Sequence, residues 1–394
     1  MPRNREERPY PGDNGRNNYG NENRVKKTGM NVKKVFAISL CLVMGIVLIS
    51  GGLVYKLGHG LYSNINYVAD EDVQMVETLP EIVEEETMST EERTGVTVSD
   101  EELNSIHDQM KNLAKRKVLA DEEIYNVLLI GVDRRDKSWN GNSDAMILVS
   151  INKAENKVSM ISLMRDTYVD IPGVGYRKLN AAYAYGAGPL LCETITNTYG
   201  IEVNRYAAVD FFDLIDIIDV LGGVSLEVSA AEAKVANGYI LDMCNLMGID
   251  GYANQLPEEG GFLRCNGVQA VAFSRNRYVG NSDFQRTDRQ RYVLSQMMAE
   301  VKQMSLAQMT EKMQSLMQFV TMNIPETEIW SMLSEVPELL KYDFEMTRIP
   351  YDNMYDVIWV NSQDMLVPHW DNTLAKLHEQ IYGTGETQTE AETE

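Results

Sequence analysis

The sequence predicts an α/β fold, a central sheet flanked by helices, carried outside the membrane on a single N-terminal transmembrane helix. Three observations within the globular part predict the sheet and its helices. Residues 126–132 form a short apolar run that ends in Asp133, Arg134, Arg135 and Asp136, as a buried strand delivering charged groups at its carboxyl end would read. AMILVSINKAENKVSMISLMRD holds two β-rich runs joined by a polar turn at 153–156, a hairpin pattern. FFDLIDIIDVLGGV places Phe211, Leu214, Ile218 and Leu221 on one face of a helix stopped by Gly222 and Gly223.

The membrane helix rests on residues 35–55, which are 21 residues without a charge; crossing the hydrocarbon core takes about 20. Residues 1–34 carry nine Lys/Arg against four Asp/Glu. Lys26, Lys27, Lys33 and Lys34 precede the apolar run and Lys56 alone follows closely. The positive-inside rule therefore sets the N-terminus in the cytoplasm and the rest outside. A cleaved signal peptide is the competing reading, opposed by the length of the run and the lack of a small-x-small site. Residues 56–121 read as an acidic spacer, helical near 101–116, residues 122–382 as the domain, and 383–394 as a disordered acidic tail.

The whole chain holds 36 Lys+Arg against 58 Asp+Glu, a net charge of -22. That balance does not suit a nucleic-acid partner, and no helix-turn-helix or zinc-knuckle spacing occurs. Neither a GxxxxGK[ST] loop nor a GxSxG elbow is present, so nucleotide hydrolysis and serine-hydrolase chemistry lose support. The histidines at 59, 107, 369 and 378 are scattered and make no zinc set with the cysteines. Cys41 falls in the apolar run. Cys244 and Cys265 bracket a Gly/Pro/Glu-rich loop and either pair or stay reduced, with Cys192 a buried thiol.

Against this acidic background, FSRNRYVGNSDFQRTDRQRY at 273–292 gathers five arginines and no lysine. A guanidinium fork grips phosphate or carboxylate oxygens bidentately, which an ammonium cannot do. A solvated helix face laced with ion pairs is the plain alternative. Asp133, Asp144 and Arg165 stand at three strand ends or turns. Two carboxylates with several arginines suit a diphosphate bound with Mg2+, which takes oxygen ligands from one or two carboxylates and from substrate phosphates. Arg–Asp pairs closing strand ends are the alternative there. Asp213, Asp216 and Asp219 read as a solvated helix face, not a metal cluster.

In order along the chain, NVLLIGVDRRD, NSDAMILVSIN, SLMRDTYVDIPGVGYRKLNAAYAYGAG, RYAAVDFFDLIDIIDVLGGV and FSRNRY-x4-DFQRTDRQ resemble the LytR–CpsA–Psr (LCP) family of bacterial envelope enzymes, over about residues 125 to 303. The resemblance implies an extracytoplasmic LCP-like α/β domain with a hydrophobic pocket for a polyprenyl chain. It implies a phosphotransferase that moves a glycopolymer, typically a teichoic acid or capsule of a Gram-positive wall, from a polyprenyl-diphosphate carrier to peptidoglycan through a phosphodiester bond. Asp133 and Asp144 match the magnesium ligands, and Arg165 the arginine of the PRD motif, here MRD. Arg275 and Arg277 match the R-x-R pair, expected on one face of an extended segment. Asp283, Arg286, Arg289 and Gln290 match D-x-x-R-x-x-R-Q. Arg135 fits the arginine after the first aspartate, with Arg134 competing for that place.

By this match the catalytic group is Arg165, Arg275, Arg277 and Asp283, the last either a base or the residue that orients Arg286. The diphosphate would meet Arg135, Arg165, Arg275, Arg277, Arg286, Arg289, Gln290 and Asn142. One departure stands out: the family's R-S-D is Asn142–Ser143–Asp144 here. Losing a positioned donor at a transition-state site costs about 2.7–4 kcal/mol, and Arg134 is the nearest replacement in sequence. A non-catalytic binder or sensor of diphosphate lipids, acting as a membrane regulator, is the alternative function class.

Overall fold

The structure, a computed structural model, describes residues 65–79, 93–134, 139–276, 279, 282–305, 308, 311–312, 315–339 and 341–383. The basic tail, the 35–55 run, Arg135, Arg277 and the acidic residues after 383 lie outside that set. Among the described residues no helix is long and apolar enough to cross a membrane.

Along the chain come β1 (Asn66–Tyr67), β2 (Val96–Thr97), helix α1 (Asp100–Leu113), and the long strands β3 (Ile124–Asp133), β4 (Asn142–Asn152) and β5 (Lys157–Leu163). The hairpin of β6 (Tyr168–Ile171) and β7 (Gly175–Lys178) leads to α2 (Ala181–Tyr199), β8 (Tyr206–Asp210) and α3 (Phe211–Leu221). A side unit follows, built from β9 (Val224–Ser229), α4 (Ala230–Met247), β10 (Gly260–Cys265), α5 (Gly267–Ser274) and α6 (Ser282–Lys302). The last elements are β11 (Thr321–Met322), α7 (Glu326–Leu339), β12 (Asp343–Ile349), β13 (Tyr355–Val360), β14 (Gln363–Pro368) and α8 (Trp370–Tyr382).

The main sheet has the order β1-β11-β8-β3-β4-β5-β12. β3 and β8 run parallel, as do β5 and β12, while β4 is antiparallel to β3 and β5. One edge of the sheet therefore collects the carboxyl ends of β3, β5, β8 and β12 and the amino end of β4. Alternation sorts β3 between two cores. Leu128, Ile130 and Val132 pack with α2 and α8, whereas Val127 packs with Val149, Met160 and Ile329 of α7. Burial on both faces explains why the β3 run shows no polar alternation.

Several expected elements are present: the β4–β5 hairpin, its turn holding Asn156 at φ 52, and α3, stopped by Gly222 at φ 95. Its buried stripe keeps three of the four expected residues and adds Ile215 and Ile217. Phe211, Ile215, Ile217, Ile218 and Leu221 are buried, and Leu214 turns toward a cavity described below. One expectation changes, and one open alternative is resolved. The stretch 96–113, read from its charge as spacer, packs on the domain: β2 pairs with β13, and α1 buries Met110 and Leu113. The helix was expected, but its polar composition hides its packing, because it buries only one narrow face. Cys244 and Cys265 are both free, buried thiols and do not pair.

Candidate active site

At the gathered sheet edge a tight turn starts β4. Gly141 adopts φ +83, and a Cβ there would lie 2.7 Å from the Asp133 carbonyl oxygen. Asn142 then faces Asp133 in register, Val132 faces Ser143, and Gly131 faces Ala145. Asp144 is the extra residue, a β-bulge, and bulges re-aim side chains beside sites. The result is a buried hub. Asp144 Oδ1 accepts from Arg165 Nη1 at 2.9 Å and its Oδ2 from Arg286 Nη1 at 3.5 Å. Asp133 Oδ2 accepts from Arg275 Nη2 at 3.2 Å. The Arg275 guanidinium also lies 4.9 Å from the Phe211 ring centre and 5.5 Å from that of Tyr239.

Two further residues belong to the cluster. Asp166, whose role the sequence left unassigned, lies 3.4 Å from Arg165 Nε and 2.6 Å from Lys178 Nζ. Lys178 went unnoticed because only the β6–β7 hairpin, pairing it with Tyr168, folds it back to the MRD turn. The described cluster thus sets Arg134, Arg165, Arg275, Arg286 and Lys178 against Asp133, Asp144, Asp166 and Asp210. Buried ion pairs are weak stabilisers, since desolvation offsets much of their attraction. Stability alone does not account for so many at one edge.

Burial raises the Asp166 carboxyl pKa, but Arg165, Lys178 and Arg286 outweigh it and hold the group at about 2. A depressed carboxylate contributes stability that is complete above its unfolded value, near 3.8, and disappears as pH falls through the folded one. Unfolding free energy is therefore expected to drop by roughly 2 kcal/mol from this group between about pH 4 and pH 2. Chemical denaturation across that window should show a shallower slope in Asp166→Asn, and an unchanged slope would contradict the assignment.

The other expected site residues divide. Arg289 does not face this cluster: its Nε donates to Glu232 Oε1 at 2.8 Å, Nη1 to the Asn276 carbonyl at 3.0 Å and Nη2 to the Val279 carbonyl at 2.7 Å. It braces backbone because α6 turns its side chain, three residues beyond Arg286, toward the side unit. Arg275 is the αR cap of α5, at φ -84 and ψ -8, not part of an extended segment. Arg134 Nη2 donates to Asp210 Oδ2 at 2.7 Å. That pairing neutralises a carboxylate only 4% exposed that caps α3, so Arg134 does not stand in for the charge missing at Asn142. Arg135, Arg277 and the Asp283 side chain lie outside the described residues.

Beside the charged edge is a cavity of about 150 Å3, lined by Leu129, Gly131, Ala145, Ile147, Ala207 and Val209 on the sheet and by α3, α5 and α6. Four of its residues adjoin the cluster: Gly131 and Ala145 flank the bulge, Ser274 precedes Arg275, and Gln290 is one helical turn from Arg286. Phe211 lines the cavity while its ring carries Arg275. The charged cluster and the apolar cavity therefore lie side by side, with Phe211 between them.

The sequence profile of the LytR_cpsA_psr family matches residues 89–378. The chain belongs to this family. Biofilm regulatory protein A of Streptococcus mutans is 32% identical over 248 residues, covering 59% of this chain and 57% of that protein. The polyisoprenyl-teichoic acid–peptidoglycan teichoic acid transferase TagU of Enterococcus faecalis is 28% identical over 273 residues, covering 68% of this chain and 72% of that one. In the match to the S. mutans protein the chain spans little more than half of the relative's length. Among solved structures, protein gbs0355 of Streptococcus agalactiae has a TM-score of 0.53 at 22% identity, covering 68% of this chain and 91% of that one. TagT bound to LIIa-WTA has a TM-score of 0.50 at 24% identity, covering 68% and 93%. These likenesses establish the mixed α/β fold.

Proposed function

We propose that the domain transfers a glycopolymer from a polyprenyl-diphosphate carrier to peptidoglycan. The observation that carries this reading is a buried arginine cluster beside an apolar cavity, with the Phe211 ring touching both, which matches a diphosphate head joined to a hydrocarbon tail. The name of the E. faecalis relative supports the same class of reaction. In the transfer, an acceptor sugar hydroxyl attacks the phosphorus attached to the glycopolymer. A phosphodiester forms, the bond to the prenyl phosphate breaks, and the hydroxyl proton passes to a base, for which Asp283 is the candidate. Arg165, Arg275 and Arg286 hold the oxygens on which charge shifts.

Asp133 and Asp144 fit a magnesium ion. They are hard oxygen donors on adjoining strand ends, and among the described residues no third acidic, His or Cys group completes a closed metal cage. Such a pair suits an ion held jointly with substrate phosphates. When bound, the ion would neutralise charge on the departing prenyl phosphate. The domain is further proposed to lie outside the cell on the 35–55 anchor, so protease added to intact protoplasts should digest it and leave a small membrane fragment. Release of an unanchored domain into the medium would overturn that topology.

The deciding experiment incubates the full chain with a synthetic polyprenyl-diphosphate glycan and peptidoglycan fragments, with and without Mg2+. Transfer in the natural protein, lost in Asp133→Ala and Asp144→Ala, is the expected result. Tight lipid binding with no transfer to any of several acceptors would favour the binder reading, which the neutral Asn142 keeps open. Because Arg134 is committed to Asp210, Arg134→Ala should lower the rate by the same factor with Asn142 as with Asn142→Arg. A double-mutant cycle with coupling near zero is expected; a larger Arg134 effect beside Asn142 would restore the compensation idea.

A further inference from the structure

We infer that Glu232 is a positioning residue, acting through Arg289 to fix the backbone that presents Arg275 to the diphosphate. This deepens the transfer reading and rests on it for its functional arm. The structure assigns both carboxylate oxygens of Glu232. Oε2 accepts from the Ser229 backbone N–H at 3.0 Å and from Ser229 Oγ at 2.6 Å, while Oε1 accepts from Arg289 Nε at 2.8 Å. The Ser229 N–H contact is half of a capping box, completed by the Glu232 N–H donating to Ser229 Oγ at 3.3 Å, and it anchors the carboxylate to the start of α4. Its second oxygen therefore sits at a fixed point of the side unit.

From there the connection runs through one planar group. The two Nη atoms of Arg289 hold the carbonyls of Asn276 and Val279. Asn276, fully buried, directly follows Arg275. Arg275 in turn meets Asp133 across a separation of 142 residues. The guanidinium is rigid, so fixing Nε on Glu232 fixes the direction of both Nη donors. Glu232 never approaches the cluster, yet the placement of Arg275 depends on it. A lysine at 289 would keep the charge and lose the fork.

The test uses the full chain in detergent, with a polyprenyl diphosphate as ligand and hydrogen exchange as a ligand-free readout. Glu232→Gln preserves a capping-competent side chain and removes the anion. It is expected to raise exchange in peptides containing Arg275 and Val279 and to weaken binding on the order of tenfold. Arg289→Lys should do the same. Ser229→Ala, which removes a cap contact and spares the Glu232–Arg289 pair, should leave binding within a factor of two or so. In an Arg275→Ala background Glu232→Gln should add almost no further loss, which a merely structural role would not produce. Unchanged exchange in Glu232→Gln overturns the inference even if the natural protein transfers glycan. Raised exchange with fully additive binding losses overturns it too. If the natural protein binds no diphosphate lipid, the transfer reading fails, and the exchange result still decides whether Glu232 positions Arg275.

Discussion

Arg165→Ala is expected to cut glycopolymer transfer about 100- to 1,000-fold, the loss that follows removal of one positioned donor from a transition-state site. Its guanidinium is shared by two buried carboxylates, Asp144 at 2.9 Å and Asp166 at 3.4 Å. Truncation leaves both competing for Arg286 and Lys178. Breaking a buried pair costs about 3–5 kcal/mol, so the variant is also expected to unfold at lower denaturant. Arg165→Lys separates the two effects. The charge is kept and much stability should return, while the lost fork keeps transfer low. A folded Arg165→Ala protein with transfer near the natural rate would remove Arg165 from the chemistry.

Ala145→Phe is expected to weaken binding of a polyprenyl diphosphate by about 100-fold or more and to leave inorganic pyrophosphate binding unchanged. Ala145 lies between the bulge at Asp144 and the cavity of about 150 Å3. A phenyl ring there takes the space of the first prenyl unit. Each buried CH2 contributes about 0.8 kcal/mol, so losing one five-carbon unit, about 4 kcal/mol, exceeds the roughly 2.8 kcal/mol of a 100-fold change. Overpacking costs about 1–3 kcal/mol, and an empty cavity absorbs the ring with less strain than a packed core. Calorimetry with both ligands checks this. Equal loss for the two would mean that the substitution disturbs the arginines rather than the tail site.

The two experiments probe the charged cluster and the apolar cavity, and the two were not equally legible. The charged cluster was in part: VDRRD, NSD and MRD each carry their charges within a few residues, and their strand-end positions follow from local apolar runs. The cavity was not. Gly131, Ala145 and Ala207 make room by being small, and small residues in a strand leave no signal that distinguishes a cavity from a packed core. Lys178 escaped for a related reason, since its partner Asp166 is reached only through a hairpin.

By itself the sequence determined the long strands of the sheet edge, the β4–β5 hairpin, α3 with its glycine stop, and the residue types that collect near a phosphate. These depend on periodicity and turn chemistry, which act over neighbouring residues. Only the tertiary structure decided which arginine meets which carboxylate. Arg286 reaches Asp144 and Arg275 reaches Asp133 across 142 residues each, whereas Arg289 turns to Glu232 and Arg134 to Asp210. All four carry the same guanidinium. What separates an arginine of the charged cluster from a backbone brace is the direction its helix or strand gives it, and that direction exists only once the elements have packed.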